Sequence, residues 1–190
     1  MNFVINHSYL IPLLPLIAAA ISGFFGARYL KDKSHWPIWI AVGISALLSL
    51  TLLFGMMGHV HGEEGPFGKG VDWFNWISTG TGPGHFTATA GAWFDPLTAV
   101  MLCVVCGIGF LITVFAAGYM KGEEGYFRFF AYLGLFIFAM TCLVMGNNLV
   151  MLYLGWEGVG HPFADPALRD DRTGEFRPPR WRGSGGRGRA

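Results

Sequence analysis

Long apolar runs broken by short polar or glycine-rich stretches set the pattern of this chain. Four runs are long enough to cross a bilayer as helices, which takes about 20 mostly apolar residues. They lie at about 9–27, 36–57, 94–117 and 127–145, and Pro12 and Pro15 stand near the start of the first. None alternates apolar and polar residues with a period of two, so a transmembrane barrel is not the reading. A fifth apolar run, NNLVMLYLGWEGVG, opens near Asn147 and Asn148. The pattern predicts an all-α fold of polytopic transmembrane helices.

The connections between the runs suggest an orientation. The stretch ARYLKDKSH carries Arg28, Lys31 and Lys33, and GYMKGEEGYFRFF carries Lys121 and Arg128. Basic residues beside short loops favour the cytoplasmic side. The N-terminus and the long loop 58–92 are then expected outside. Within that loop, VDWFNWI and HFTATAGAW read as two short strands joined by STGTGPG, a short external hairpin near the interface. Trp73, Trp76 and Trp93 suit an interfacial aromatic belt.

Composition agrees with a membrane setting. Of 190 residues, 53% are hydrophobic and only 13% charged, and mean hydropathy is +0.45. An ordinary soluble domain is about a quarter charged. The net charge of +1 hides two unlike regions. Basic residues are sparse up to 160, whereas Arg169, Arg172, Arg177, Arg180, Arg182, Arg187 and Arg189 crowd the last thirty positions. The segment MNFVINHSYL lacks the basic start of a secretory leader, so the first apolar run is expected to stay in the protein.

Most candidate chemistry has a plain structural explanation. Cys103 and Cys106 spell C-x-x-C, but residues three apart share one face of a helix, no second pair follows, and a thiol in an apolar run behaves as a small hydrophobe. His59, His61, Glu63 and Glu64 match no closed set of metal ligands, so no metal site is assigned. Asp95 in FDPLT suits an N-cap followed by proline. Glu123, Glu124 and Arg128 read as a surface turn whose arginine reaches the membrane face.

Glu157 is different, because it interrupts the fifth apolar run. It would lie about 15 Å along a helix begun at Asn147, near the middle of a hydrocarbon core about 30 Å thick. A carboxylate there costs about 2.5–3.5 kcal/mol, and such groups face a bundle interior or a hydrated cavity. Burial favours the neutral form of a carboxyl group and a nearby cation favours the charged form. A carboxyl placed between these influences can take up and release a proton. The plainer alternative is a glutamate at the watery end of a shorter helix. Gly155, Gly158 and Gly160 around it allow close approach of another helix or of water. Their spacing is not that of a dinucleotide-binding turn, and no predicted strand precedes them.

The stretch GYMKGEEGYFRFFAYLGLFIFAMTCLVMGNNLVMLYLGWEGVG resembles the antiporter-like subunit L family of the proton-pumping NADH:quinone oxidoreductase, respiratory complex I. FDPLTAVMLCVVCGIGFLITVFAAGYM fits the third helix of that family, and the resemblance covers about residues 1–160. It implies that Glu157 is the membrane-embedded glutamate of the proton path, working with a lysine on a later helix. It implies no cofactor in this chain, with NADH, FMN, iron–sulfur clusters and quinone handled by other subunits. The implied partners are the other membrane subunits of the complex, the lipid bilayer and protons, with no nucleic acid. The implied location is the bacterial inner membrane, multi-pass. One departure is visible: the family commonly has Asp before Asn where this chain has Asn147–Asn148. The large subunit of a multisubunit sodium/proton antiporter resembles the same family and is the first alternative; a non-enzymatic membrane stub is the second.

After Gly160 the resemblance stops and the chain becomes HPFADPALRDDRTGEFRPPRWRGSGGRGRA. Pro162 and Pro166 oppose a helix, and the Arg/Gly/Pro composition predicts disorder over 161–190. An arginine cluster can bind anionic lipid or nucleic acid. A shift of reading frame in GC-rich DNA is preferred here, because the break falls inside both a motif and a helix. On this view residues 1–160 form the transmembrane region, and the fragment alone is expected not to pump.

Overall fold

A computed structural model describes residues 5–26, 28, 33–60, 68–80, 87–120 and 125–160. Five helices and one hairpin account for nearly all of them: α1 (Leu10–Phe25), α2 (His35–Val60), β1 (Lys69–Ser78), β2 (Thr87–Phe94), α3 (Pro96–Tyr119), α4 (Tyr126–Met145) and α5 (Leu149–Gly160). By length and composition, His35–Gly58 of α2, all of α3 and all of α4 are long and apolar enough to cross a membrane. The other two are shorter apolar helices, α1 with 16 residues and α5 with 12. At 1.5 Å per residue these are about 24 Å and 18 Å long. The tail 161–190, the loop with His61, Glu63 and Glu64, the side chain of His59, and Lys31, Lys121, Glu123 and Glu124 lie outside the described residues.

Helix α4 is central: it packs against α1, α3 and α5, and α2 fills the space between α1 and α3. Close approach explains the arrangement. A Cβ on Gly134 of α4 would lie 2.7 Å from Ile38 Cδ1 and 3.1 Å from Ala19 Cβ, so glycine is what lets three helices meet there. Large apolar side chains instead point outward along α2 and α3, among them Ile40, Leu47, Phe54, Leu97, Leu111 and Phe115. An apolar exterior of this extent is far larger than a soluble surface carries and fits a lipid environment.

Small hydroxyl residues line the helix contacts, and each has a partner. Ser22 Oγ donates to Ser34 O at 3.0 Å, and Ser49 Oγ to Ser45 O at 2.8 Å. Trp39 Nε1 donates to Thr113 O, joining α2 to α3. Pro15 has no N–H, so the helix cannot give the Ile11 carbonyl its usual partner four residues on. Ser45 Oγ from α2 fills that role at 2.9 Å. Among the described residues no buried side-chain nitrogen or oxygen lacks a hydrogen-bond partner, as a bundle set in lipid requires.

The two strands pair antiparallel, from Lys69 opposite Phe94 to Ser78 opposite Thr87. The register slips between Asp72 and Phe74 and again between Asn75 and Ile77. The extra residues are Trp73 and Trp76, and a bulge of this kind re-aims the side chain it carries. Both indoles line one apolar cavity of about 510 Å³, together with Tyr9, Leu13, Phe138 and Met151. Trp73 Nε1 also donates to Ser8 Oγ at 3.3 Å. Alternate residues of β2, Ala88, Ala90, Ala92 and Phe94, are buried, and the last two join a cluster with Ile11, Leu52, Met56, Leu102 and Met145. The hairpin therefore closes one end of the bundle. Arg28, Lys33 and Arg128 follow from the chain path to the other end, beside the C-terminus of α1 and the N-termini of α2 and α4.

Candidate functional site

Within the sequences of the five helices Glu157 is the only acidic residue. It stands on the ninth position of α5, about 12 Å from the first. What orients it is the glycine pattern of that helix. A Cβ on Gly155 would sit 2.6 Å from Leu143 N and 2.9 Å from Ala139 O, and one on Gly158 would sit 2.9 Å from Ala139 Cβ. These glycines press α5 onto the backbone of α4. At 100° per residue Glu157 falls well off that face, and it is exposed. Tyr153, one turn earlier, shares its side of the helix and interacts with the Glu157 carboxylate. Trp156 and Leu149 extend the same open surface, 67% and 79% exposed. The side of α5 turned away from α4 is thus apolar and aromatic around a single carboxylate.

The start of α5 is fixed by polar side chains. Asn148 Oδ1 accepts from Met151 N at 2.9 Å, a side-chain N-cap. Asn148 Nδ2 donates to Thr89 O at 2.5 Å and to Asn147 Oδ1 at 2.7 Å. Asn147 Nδ2 donates to Asp72 Oδ1 at 2.7 Å, and Thr89 Oγ1 donates to the same oxygen at 3.1 Å. Ala92 bridges to Gly146 beside them. A Cβ on Gly91 would collide with Asn147 Nδ2, Asp72 Oδ1 and Val71 O. The hairpin and the α4–α5 corner are one polar joint.

The remaining candidates have structural roles or lie apart. Asp95 Oδ1 accepts from Thr98 N at 2.6 Å, with Pro96 next in line, so it caps α3. Cys103 and Cys106 are free thiols one turn apart on α3, and Cys142 is buried in α4. Among the described residues no three metal-ligating side chains cluster. Arg128 lies over the ring of Phe127 at 5.7 Å. Two participants, and one contact at the opposite end of the bundle, do not stand out from sequence. Tyr153 is signalled by its i, i+4 spacing to Glu157. Asp72 is the one carboxylate in a strand that also carries Trp73, Phe74 and Trp76. Tyr126, whose hydroxyl lies 2.8 Å from His35 Nδ1 across the α2–α4 contact, has no local signal.

Comparison with known proteins gives consistent results. The family model for the N-terminus of chain 5 of NADH-ubiquinone oxidoreductase, complex I, matches residues 76–130. NADH-quinone oxidoreductase subunit L of Pseudomonas aeruginosa is 42% identical over 148 residues, covering 78% of this chain and 23% of that protein. Subunit L of Escherichia coli K12 is 40% identical over 148 residues, with the same two shares, 78% and 23%. The chloroplastic NAD(P)H-quinone oxidoreductase subunit 5 of Mesostigma viride is 34% identical over 167 residues, 84% of this chain and 24% of that one. The chain spans about a quarter of the length of these relatives.

Proposed function

The chain is a relative of NADH-quinone oxidoreductase subunit L, chain 5 of complex I, and resembles its N-terminal part; on that premise we propose that it is a membrane segment of a proton-translocating NADH:quinone oxidoreductase, with Glu157 as a proton carrier. The observation that carries this reading is the placement of Glu157. It is the only acidic residue in five apolar helices, and it stands on the side of α5 turned away from α4. A carboxylate on that surface needs a polar partner or water in place of lipid. Tyr153 is the partner supplied by this chain, and the resemblance supplies a lysine from a later helix of the subunit.

The chemistry assigned to the chain is proton transfer alone. A carboxylate takes a proton when its surroundings become less polar or lose a cation, and releases it when a cation approaches. Electron transfer, with NADH, FMN, iron–sulfur clusters and quinone, is assigned to other subunits. The other membrane subunits are the proposed partners, and the apolar exterior of α2 and α3 is the proposed lipid or subunit contact. The proposed location is the bacterial inner membrane, multi-pass. Arg28, Lys33 and Arg128 gather at the end opposite the hairpin, which supports a cytoplasmic position for that end and an outside position for the N-terminus and hairpin.

The test is Glu157→Gln in the assembled complex, with proton uptake into inverted membrane vesicles followed during NADH oxidation. The expected result is loss of proton translocation at unchanged complex content. Pumping at the unsubstituted level would overturn the assignment.

A further inference from the structure

We propose that Asp72 is a positioning residue for Glu157. Through the Asn147–Asn148 turn it sets where α5 begins, and so where the carboxylate of α5 stands. This rests on the proton-carrier reading of Glu157 and adds a control element to it, located on the hairpin.

In the joint each donor faces an acceptor, and Asp72 Oδ1 and Asn148 Nδ2 each serve two partners. Asp72 Oδ1 accepts from Asn147 Nδ2 at 2.7 Å and from Thr89 Oγ1 at 3.1 Å. Asn148 uses both ends of its amide: Nδ2 holds the hairpin carbonyl of Thr89, and Oδ1 caps Met151 N. The same side chain therefore joins the hairpin and starts the helix. Nothing within the helix replaces that cap, because the first N–H groups of a helix have no partner of their own. From Asn148, α5 runs as a short rigid rod to Glu157, guided along α4 by Gly155 and Gly158. A shift or tilt at the turn is carried along this rod to the carboxylate.

The chemistry also explains why an amide stands at position 147. A carboxylate there would face Asp72 Oδ1 with acceptors only, and two ionised groups at hydrogen-bond distance repel. An amide donates instead. The match requires one acid and one amide across the joint, and the two can trade places.

That exchange is the experiment. In the full chain, spin labels at Thr87 and Trp156, both exposed, report the separation of hairpin and α5. In the assembled complex, protons moved per NADH oxidised report function. N147D is expected to replace one narrow Thr87–Trp156 distance with a longer, broader one. It should lower the ratio of closed to open joint by about fivefold, the scale set by losing one hydrogen bond's net contribution, and lower the proton ratio with it. The swap D72N/N147D is expected to restore both readouts, since the amide then donates from the hairpin side and the carboxylate accepts on the turn side. A swap that restores neither overturns the proposal. So does an N147D variant that widens the distance yet pumps normally while E157Q does not pump. If E157Q itself pumps normally, the proton-carrier reading fails, and the distances alone then decide whether Asp72 positions residue 157.

Discussion

The hydroxyl of Ser45 donates to the carbonyl of Ile11 at 2.9 Å, and that carbonyl is the one Pro15 leaves without its helical partner. The proline and its remedy thus sit on different helices. Ser45→Ala is expected to cost about 1 kcal/mol of stability, at the low end of the cost of a buried polar group left unmet. Thermal unfolding in detergent measures it. In a Pro15→Ala background the same substitution should cost much less, because alanine restores the N–H that proline lacks. Equal losses in both backgrounds would refute the link.

Gly155 and Gly160 make a matched contrast. A methyl group on Gly155 would strike the Leu143 backbone, whereas nothing lies within 4 Å of one on Gly160. Gly155→Ala should therefore displace α5 and destabilise the bundle by about 1–3 kcal/mol, with proton translocation falling as well. Gly160→Ala should leave both unchanged. Similar unfolding curves for the two variants would show that α5 does not ride on α4 as described.

Asp95 is assigned to capping and nothing more. Asp95→Ala is expected to lower stability by about 0.5–2 kcal/mol through the lost bond to Thr98 N. Pumping per assembled complex should be normal. A pumping defect at full assembly would move Asp95 into the proton path.

Tyr153 tests how far the site extends beyond its carboxylate. Tyr153→Phe keeps the ring and removes the hydroxyl that meets Glu157. We expect slower proton transfer than in the unsubstituted protein but not the complete loss expected of Glu157→Gln. Identical behaviour of Tyr153→Phe and the unsubstituted complex, measured as initial proton uptake rate, would remove Tyr153 from the site.

Much of this fold is legible in the sequence because apolar run length is nearly sufficient for a membrane helix. The runs at 36–57 and 127–145 lie within α2 and α4; the run at 94–117 overlaps α3, which starts at Pro96 because Phe94 ends β2 and Asp95 is the cap. The first run spans about 9–27, and the structure gives 16 residues in α1. Run length counts apolar residues, and it cannot tell where a helix beginning among prolines and ending at a Gly–Ala–Arg stretch takes its regular form. The strand segments are visible from aromatic and Thr/Ala-rich stretches between glycine turns. Their bulges at Trp73 and Trp76 are not, since register depends on the bundle that β2 covers. At the site, Glu157 stands out because charge is rare in apolar helices. Asp72 does not, because its meaning comes from a residue 75 positions away.

That separation also orders events during synthesis. Asp72 and Thr89 leave the ribosome well before Asn147 and Asn148 exist, and at about 5–20 residues per second the wait is on the order of ten seconds. Until then the hairpin can pair with itself but has no corner to close on. Trp73 can already meet Ser8 on the earlier chain during that interval, but the polar joint cannot form. The last of the five helices to emerge is therefore the one that locks an element made much earlier, and the joint at Asn147 marks completion of this part of the molecule.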